Sequence, residues 1–233
     1  MTPTEGGLRA RYREQTRAEI KEIALRQLAE GGLAAIALTR IAKELGLSGP
    51  ALYRYFAGRD DLADALIRDA YDDLAAAVGR AAEGAAGLTP RERLRAMGVA
   101  YRAWALSQPQ RYLLLFGSPL PGYTAPPDTL LRARAALGPF LSVFEGGRPR
   151  PAVAPVVQQM EAWERRDPRV AGWVAEYAAG GDGCAVAGAV MAWTRMHGVI
   201  SLEVEGQFTG MGHDPRALLD AEVDTLAETF GLG

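Results

Sequence analysis

Residues 47–61, LSGPALYRYFAGRDD, combine residue types that seldom occur together in a core helix. A Gly-Pro pair opens the stretch, and Tyr53, Arg54, Tyr55 and Arg59 follow it. Guanidinium groups pair with anionic oxygens, and tyrosine offers a flat ring and a hydroxyl donor. A glycine has no Cβ and therefore lets another surface come close to the backbone. The stretch favours contact with a polyanion, provided that the surrounding elements hold these side chains at a surface.

The charge distribution along the chain supports this interpretation. The net charge is only −2, but the charges are unevenly distributed. Residues 8–59 contain ten Lys or Arg and five acidic residues, whereas residues 60–233 contain 16 Lys or Arg and 22 acidic residues. A basic N-terminal part followed by an acidic remainder is typical of a small nucleic-acid-binding module on a larger body. A solvated helix face that happens to be basic would give the same counts, so the charge alone leaves that alternative open.

Periodicity predicts three short helical segments in the basic part. Apolar residues at three- and four-residue spacing predict an amphipathic helix over 9–30, ended by a Gly-Gly pair. A second helix is predicted over 38–45 and ends at Gly46, after which Ser48 caps a third helix with its hydroxyl. Three helices joined by such short turns form a helix-turn-helix pattern. The apolar positions of the first helix are Ile20, Ile23, Ala24 and Leu28.

The third helix divides into two faces at 100° per residue. Leu52 and Phe56 lie on one face and are predicted to pack inward, whereas Pro50, Tyr53 and Arg54 lie on the other. A basic and aromatic face at the N-terminal end of a short helix suits the major groove of DNA. The phase of Tyr55 permits either packing at the core edge or contact with a phosphate.

At this point a family resemblance becomes specific. Residues 20–67, with IALTRIAKELGLSGPALYRYFAGRDDLADALI at their heart, resemble the DNA-binding domain of the TetR family of bacterial transcriptional regulators. One departure is Ala37, where that family usually has Ser or Thr; a lost cap costs about 1 kcal/mol, so a frayed helix start is expected. The resemblance implies contacts with double-stranded operator DNA. The positions that it implies are Thr39, Arg40, Ser48, Gly49, Pro50, Tyr53, Arg54, Tyr55 and Arg59.

The rest of the chain is predicted to be helical throughout, because no run alternates as a strand would. The fold class is therefore all-α: a helix-turn-helix DNA-binding domain over 1–60 and a larger helical effector-binding and dimerisation domain over 61–233. A hinge is predicted at 84–88, and loops are predicted at 118–127 and 146–151. The predicted helices run over 60–83, 90–105, from Pro109 through RYLLLF, and over 127–145, 153–166, 184–205 and 214–230.

A second resemblance lies in the long apolar helix near the C-terminus. Trp193, His197 and Gly198, followed by Val199, Leu202, Glu203 and Gly206, resemble the Trp-His-Gly motif of one class of C-terminal domain that follows TetR-type DNA-binding domains. The resemblance implies a homodimer built from 184–206 and 214–230. The first of these helices is apolar nearly all round, which predicts burial on several sides.

The TetR resemblance also implies a pocket for a small apolar effector among the middle helices. An aromatic cluster at helical spacing is more often part of a core than of a cavity. His197 could bind the effector or titrate near neutrality, or it could be a buried histidine hydrogen-bonded to a nearby backbone or hydroxyl group. The candidate ligand residues are Met97, Tyr101, Trp104, Tyr112, Phe116, Trp193 and His197.

Composition argues against other classes of protein. Two histidines, one cysteine, no metal-ligand spacing and no glycine-rich phosphate loop disfavour an enzyme and predict no cofactor and no metal. Cys184 has no second cysteine or basic neighbour, which disfavours a redox sensor. No apolar run approaches the roughly 18 residues of a membrane span, so a cytoplasmic protein is expected. Three classes remain: a ligand-responsive dimeric repressor, a DNA-binding regulator without a small effector, and a helical enzyme.

Overall fold

The computed structural model describes residues 5–117, 123–124, 126, 128–180 and 183–233, and all of the regular elements that they form are helices. The predicted all-α class is confirmed. The predicted loop 118–127 lies mostly outside the described residues. In chain order the α-helices are α1 (Glu5–Gly31), α2 (Leu38–Glu44), α3 (Gly49–Leu52), α4 (Arg59–Gly84), α5 (Pro90–Ser107), α6 (Pro109–Phe116), α7 (Thr129–Phe144), α8 (Ala154–Arg166), α9 (Pro168–Tyr177), α10 (Gly183–Val204) and α11 (Pro215–Thr229).

The helix α9 was not predicted from the sequence. Its ten residues follow α8 after a single residue, Asp167, whose carboxylate accepts a hydrogen bond of 2.9 Å from the backbone N–H of Arg169. An Asp-Pro pair is a known helix start, because the aspartate caps and the proline has no amide to satisfy. The signal was therefore present at Asp167-Pro168, one residue beyond the predicted end of the preceding helix.

The chain divides into two compact units. The first contains Met1–Ala70 and Gln110–Thr129, and the second contains Tyr71–Pro109 and Leu130–Gly233. The predicted domain boundary between residues 60 and 61 stays a prediction. In the first unit the second segment is tied to α4, since Tyr123 donates a hydrogen bond of 2.6 Å to Asp64 and Arg68 pairs with Asp128.

A single apolar core holds the helices of the first unit together. It draws residues from α1 to α4, and the half-buried side chains of Leu45, Leu47 and Tyr55 pack against it. Burying apolar surface contributes about 25 cal/mol per Å², so this small core is the main source of stability for the short helices around it. Its buried members are Ile20, Ile23, Ala24, Leu28, Ile36, Ile41, Ala42, Leu52, Phe56, Leu62, Ala65 and Leu66.

The helix α10 lies at the centre of the second unit. Its residues 183–189 are all buried, and it packs against α5, α8 and α11. Gly188 permits this packing, because a Cβ there would lie 2.1 Å from the ring of Phe144. Further along, Glu203 receives two hydrogen bonds from Arg102 of α5, which raises the pKa of the arginine, chiefly through those bonds. The predicted burial of α10 on several sides is confirmed for its first half.

The helix α5 begins with a capping box formed by Thr89 and Glu92. The backbone N–H of Glu92 donates to the Thr89 hydroxyl at 3.3 Å, and the backbone N–H of Thr89 donates to the Glu92 carboxylate at 3.0 Å. These two bonds satisfy amides that the first turn of a helix otherwise leaves unpaired.

Among the described residues no helix is both long and apolar enough to cross a membrane.

Candidate nucleic-acid interface

The turn between α2 and α3 depends on one glycine in the left-handed region. Gly46 has a φ of 65°, which an L side chain adopts only with strain. The N–H of Leu47 donates to the carbonyl of Ala42 at 2.8 Å, and the N–H of Gly46 donates to Lys43 at 3.3 Å. This is the Schellman arrangement, which pairs the last carbonyls of a helix. It turns the chain so that Leu47 packs on the core and α3 can begin.

The helix α3 separates its packing residues from its exposed ones. The Ser48 hydroxyl accepts a hydrogen bond of 3.3 Å from the Ala51 N–H, which confirms the predicted cap. Leu52 and Phe56 are each 1% exposed, whereas Tyr53 is 54% exposed and Arg54 is also exposed. The predicted faces are therefore confirmed. The tyrosine ring lies on the outer surface beside a guanidinium, where both can reach a ligand.

Gly49 and Pro50 are both exposed in the first turn of α3. No atom lies within 4 Å of the position that a Cβ of Gly49 would occupy, and its φ is outside the left-handed region. The fold of this chain therefore does not require a glycine at this position. The missing side chain leaves the backbone open to a close approach from outside.

The position of Tyr55 was left open by the sequence, and its side chain is half-buried against the core. Its backbone carbonyl accepts a hydrogen bond of 2.5 Å from the guanidinium of Arg17 on α1. The guanidinium of Arg17 also lies 4.3 Å from the centre of the Phe56 ring, a cation–π distance. We call residues 49–56, which comprise α3 and the turn that follows it, the recognition segment. Arg17 thus holds the end of this segment, and no local sequence signal could have indicated the contact.

The remaining predicted contacts lie at the ends of α2 and α4. Thr39 and Arg40 are exposed on α2, and Arg40 pairs with Glu30 at 2.7 Å. Arg59 is exposed in the first turn of α4, 3.3 Å from the carboxylate of Asp60. Exposed ion pairs of this kind contribute about 0–1 kcal/mol, so each arginine can exchange its partner for a phosphate at little cost.

The helix α2 starts without a side-chain cap, as expected from Ala37. A different group holds this helix start in place. The amide oxygen of Gln27, a buried residue on α1, accepts a hydrogen bond of 2.8 Å from the Ala37 N–H. Sequence reasoning missed Gln27, whose polar side chain lies on the otherwise apolar face of α1.

The candidate ligand residues divide between the two units. Met97, Tyr101 and Trp104 are buried on one face of α5, in the second unit. In the first unit, the rings of Tyr112 and Phe116 on α6 lie 5.2 Å apart. All five are placed where apolar side chains pack, and whether any of them contacts an effector stays a prediction.

Trp193 and His197 stack on α10, with ring centres 5.8 Å apart and planes 27° apart. The imidazole is half-buried, and burial lowers its pKa below the ordinary value, while the nearby Glu205 acts in the opposite direction. Neutral imidazole is therefore favoured in the folded chain.

Cys184 is buried, with its sulfur 3.6 Å from the carbonyl of Gly147. In the described part of the chain, no three His, Cys, Asp or Glu residues are grouped as metal ligands.

Comparison with known families accounts for this arrangement. The family model described as "Bacterial regulatory proteins, tetR family" matches residues 20–66, which contain α2 and α3. A second model, described as "Tetracyclin repressor-like, C-terminal domain", matches residues 94–226. The chain belongs to the TetR family. Members of this family are transcriptional regulators, and α2 and α3 form its helix-turn-helix.

Individual relatives agree with this assignment. The HTH-type transcriptional regulator Rv1816 of Mycobacterium tuberculosis is 36% identical over 228 residues, which cover 94% of each chain. The crystal structure of the regulatory protein SCO4313 has 41% sequence identity and a TM-score of 0.77, covering 97% of this chain and 100% of that one. The structure of FadR from Bacillus subtilis, in complex with stearoyl-CoA, has a TM-score of 0.54 at 15% identity, covers 90% of this chain and 96% of that one, and shows the fold alone. The protein is a TetR-type, DNA-binding transcriptional regulator.

Proposed function

We propose that this protein is a homodimeric TetR-type repressor that binds a palindromic operator and is released by a small apolar effector. The exposure of Tyr53 carries the proposal. Tyr53 is 54% exposed on a segment whose neighbours Leu52 and Phe56 are each 1% exposed. A large aromatic ring held outward by a fully buried pair contributes little to the core, so its position favours contact with a ligand.

The DNA contacts that we propose extend from this ring. Gly49 and Pro50 would lie against the DNA backbone, while Tyr53 and Arg54 would reach base edges and phosphates in the major groove. Arg59 and Arg40 would neutralise phosphates on either side, and Thr39, Ser48 and Tyr55 would complete the surface. We place this binding in the bacterial cytoplasm, where the operator lies.

The two last helices support a dimer. Leu202 of α10 is 44% exposed and Leu218 of α11 is 38% exposed, although both helices are apolar on their inner faces. Gly198 lies one turn before Leu202 on α10, and no atom lies within 4 Å of where its Cβ would be. Exposed leucines beside a small residue favour close packing against a second copy of the same helices.

We also propose that the C-terminal domain is of the Trp-His-Gly class. Trp193 and His197 are half-buried and stacked on a face of α10 away from that of Leu202. The stack would stabilise this part of α10 within the single chain. His197 would then be a structural histidine rather than an effector ligand.

The effector is proposed to bind among the buried aromatic residues. Met97, Tyr101 and Trp104 are buried and mainly apolar, and they carry two polar groups, the Tyr101 hydroxyl and the Trp104 indole N–H. Small-molecule sites are typically lined by this mixture of groups. Binding there would shift α4, whose residues extend across both units of the chain. A coupling of about 1–3 kcal/mol between the two sites would be sufficient to release DNA. A regulator without a small effector, which responds only to its own concentration or to a partner protein, is the alternative.

Substitution of Tyr53 by alanine tests the proposal. The full-length protein first selects fragments from genomic DNA, and the shortest retained fragment then serves as the probe. We expect Tyr53→Ala to keep the wild-type circular dichroism and sedimentation but to weaken binding to this probe at least 10-fold, since a contact to a base edge contributes about 1–3 kcal/mol in each protomer. Tyr53→Phe keeps the ring and removes the hydroxyl, so its affinity for the probe distinguishes the contribution of the ring from that of the hydroxyl.

The matched control is Met211→Ala, which removes a side chain of similar exposure, 64%, from the second unit and should leave the affinity unchanged. Unchanged affinity of Tyr53→Ala would contradict the proposed DNA-reading surface. A library of apolar small molecules is then screened for release of the wild-type protein from the same probe. If every molecule that binds the protein leaves the DNA complex intact, the effector part of the proposal fails and the alternative regulator is favoured.

A further inference from the structure

The first half of α1 carries an arginine stripe, which we define as Arg9, Arg13 and Arg17. At 100° per residue these three positions lie within about 80° of one another on one side of the helix. Arg9 and Arg13 are exposed, whereas Arg17 is half-buried. Residues 8–17 contain four arginines and one glutamate, Glu14, which gives this segment a net charge of +3. The family match begins only at residue 20, so it does not include this segment.

Two contacts show which way the stripe faces. The guanidinium of Arg17 donates to the backbone carbonyl of Tyr55, and an Nη of Arg13 lies 3.5 Å from the carbonyl oxygen of Arg54. Both carbonyls belong to the end of the recognition segment. The stripe therefore runs past the end of the surface that carries Tyr53 and Arg54, and Arg9 lies about 6 Å further along the axis of α1 than Arg13.

The stripe is not favourable for α1 by itself. Like charges four residues apart destabilise a helix by about 0.2–0.5 kcal/mol for each pair, and the stripe contains two such pairs. A nearby polyanion offsets this repulsion, because it pairs with each cation.

We propose that the arginine stripe binds the phosphate backbone of DNA that flanks the bases read by the recognition segment, with Arg9 as the outermost contact. The proposal rests on the proposed operator binding. Charge complementarity and continuity with the helix-turn-helix surface identify the occupant, since the stripe borders that surface and has the charge that phosphates require. Tyr12, which is 67% exposed on the same turn, would lie against the sugars next to these phosphates.

The sequence provides a matched pair for the test. Arg11 lies in the same exposed helix segment, but its phase places it on the side of α1 opposite the stripe. Arg9→Ala and Arg11→Ala therefore remove the same charge from the same segment. Alanine has a higher helix propensity than arginine, so neither change should unwind α1. Circular dichroism of the two full-length variants would verify this.

The measurement is the dependence of DNA affinity on salt, taken by fluorescence anisotropy between about 50 and 200 mM KCl. The probes are the shortest selected genomic fragment and a random-sequence duplex of equal length. We expect Arg9→Ala to reduce the slope of log K against log salt by about 0.9 for each bound protomer on both probes. At about 0.1 M salt this is a loss of roughly 5- to 10-fold for each protomer. Arg9→Lys should keep the slope, and Arg11→Ala should match the wild type.

Each other result would overturn the proposal. If Arg9→Ala has the wild-type slope, the stripe does not contact phosphates. If Arg9→Ala and Arg11→Ala reduce it equally, only the overall charge of the segment matters. A loss confined to the selected fragment would indicate a base contact instead. The wild type is also tested for binding to vesicles that contain anionic lipid. If Arg9→Ala loses vesicle binding but keeps the wild-type salt slope on DNA, the stripe binds a membrane surface instead. The random duplex keeps the test valid even if Tyr53→Ala shows that operator reading lies elsewhere.

Discussion

Arg17 on α1 donates a hydrogen bond to the backbone carbonyl of Tyr55, 38 positions further along the chain. The same guanidinium lies over the ring of Phe56, so one side chain contacts the recognition segment through a polar group and an aromatic face. The segment has only one turn of α-helix, Gly49–Leu52, before it enters a turn. Because so short a helix is marginal without tertiary contacts, its end is fixed by α1.

Arg17→Ala should destabilise the first unit. A partly buried hydrogen bond from a charged group contributes about 1.5–3 kcal/mol, and the Phe56 contact adds to it. We expect a loss of about 2 kcal/mol in the free energy of unfolding, measured by urea titration. Arg11→Ala, on the exposed opposite side of α1, is the control and should change stability by less than about 0.5 kcal/mol. Equal stability of the two variants would show that the Arg17 contact contributes nothing net.

Gly46→Ala should destabilise the helix-turn-helix through the backbone alone. No atom lies within 4 Å of the Cβ position at Gly46, so no clash arises, but its φ of 65° is strained for alanine. The expected cost is about 1–2 kcal/mol, seen as a lower urea midpoint. Gly79→Ala is the comparison, since that site on α4 has equal space without a positive φ and should be neutral or slightly stabilising. A neutral Gly46→Ala would indicate that the turn relaxes into another form.

Gly198→Leu tests the proposed dimer. The position has free space in the single chain, and leucine favours helix, so the fold itself should be retained or strengthened. In the dimer the added side chain would separate the two copies of α10. We expect sedimentation at micromolar concentration to show monomers for Gly198→Leu, together with weaker DNA binding. Gly172→Leu on α9, at an equally open site, should sediment as the wild type does. Identical sedimentation of both variants would place the interface elsewhere.

The stability of the protein should depend on pH through His197. Burial lowers the pKa of this imidazole in the folded chain, so the unfolded chain binds the proton more readily. Stability is therefore unaffected well above the ordinary pKa of about 6.5 and decreases as the pH falls below it. Thermal unfolding at fixed protein concentration, from about pH 7.5 to 5, measures the effect. His197→Gln should flatten this dependence. A wild-type curve for His197→Gln would contradict this role.

Local signals were sufficient for the helix-turn-helix. Gly46, Ser48 and the apolar phase of Leu52 and Phe56 depend on interactions within one or two turns, and the structure confirms them. The same kind of signal, Asp167-Pro168, marks the start of α9. This helix was not predicted from the sequence, because it is short and follows α8 without a loop. The assignment of Tyr53 to the outer face needed only helical periodicity.

The sequence by itself determined the all-α class, the order of most helices, the family and the outward face of the recognition segment. These follow from the short range of helix periodicity and capping. Only the tertiary structure decided that Tyr55 packs inward and that Arg17 holds the recognition segment. It also decided that Gln27 holds the start of α2 and that the arginine stripe borders the end of the recognition segment. Those contacts join residues 10 to 41 positions apart, and a side chain has no local pattern that reveals which distant carbonyl or amide it will meet.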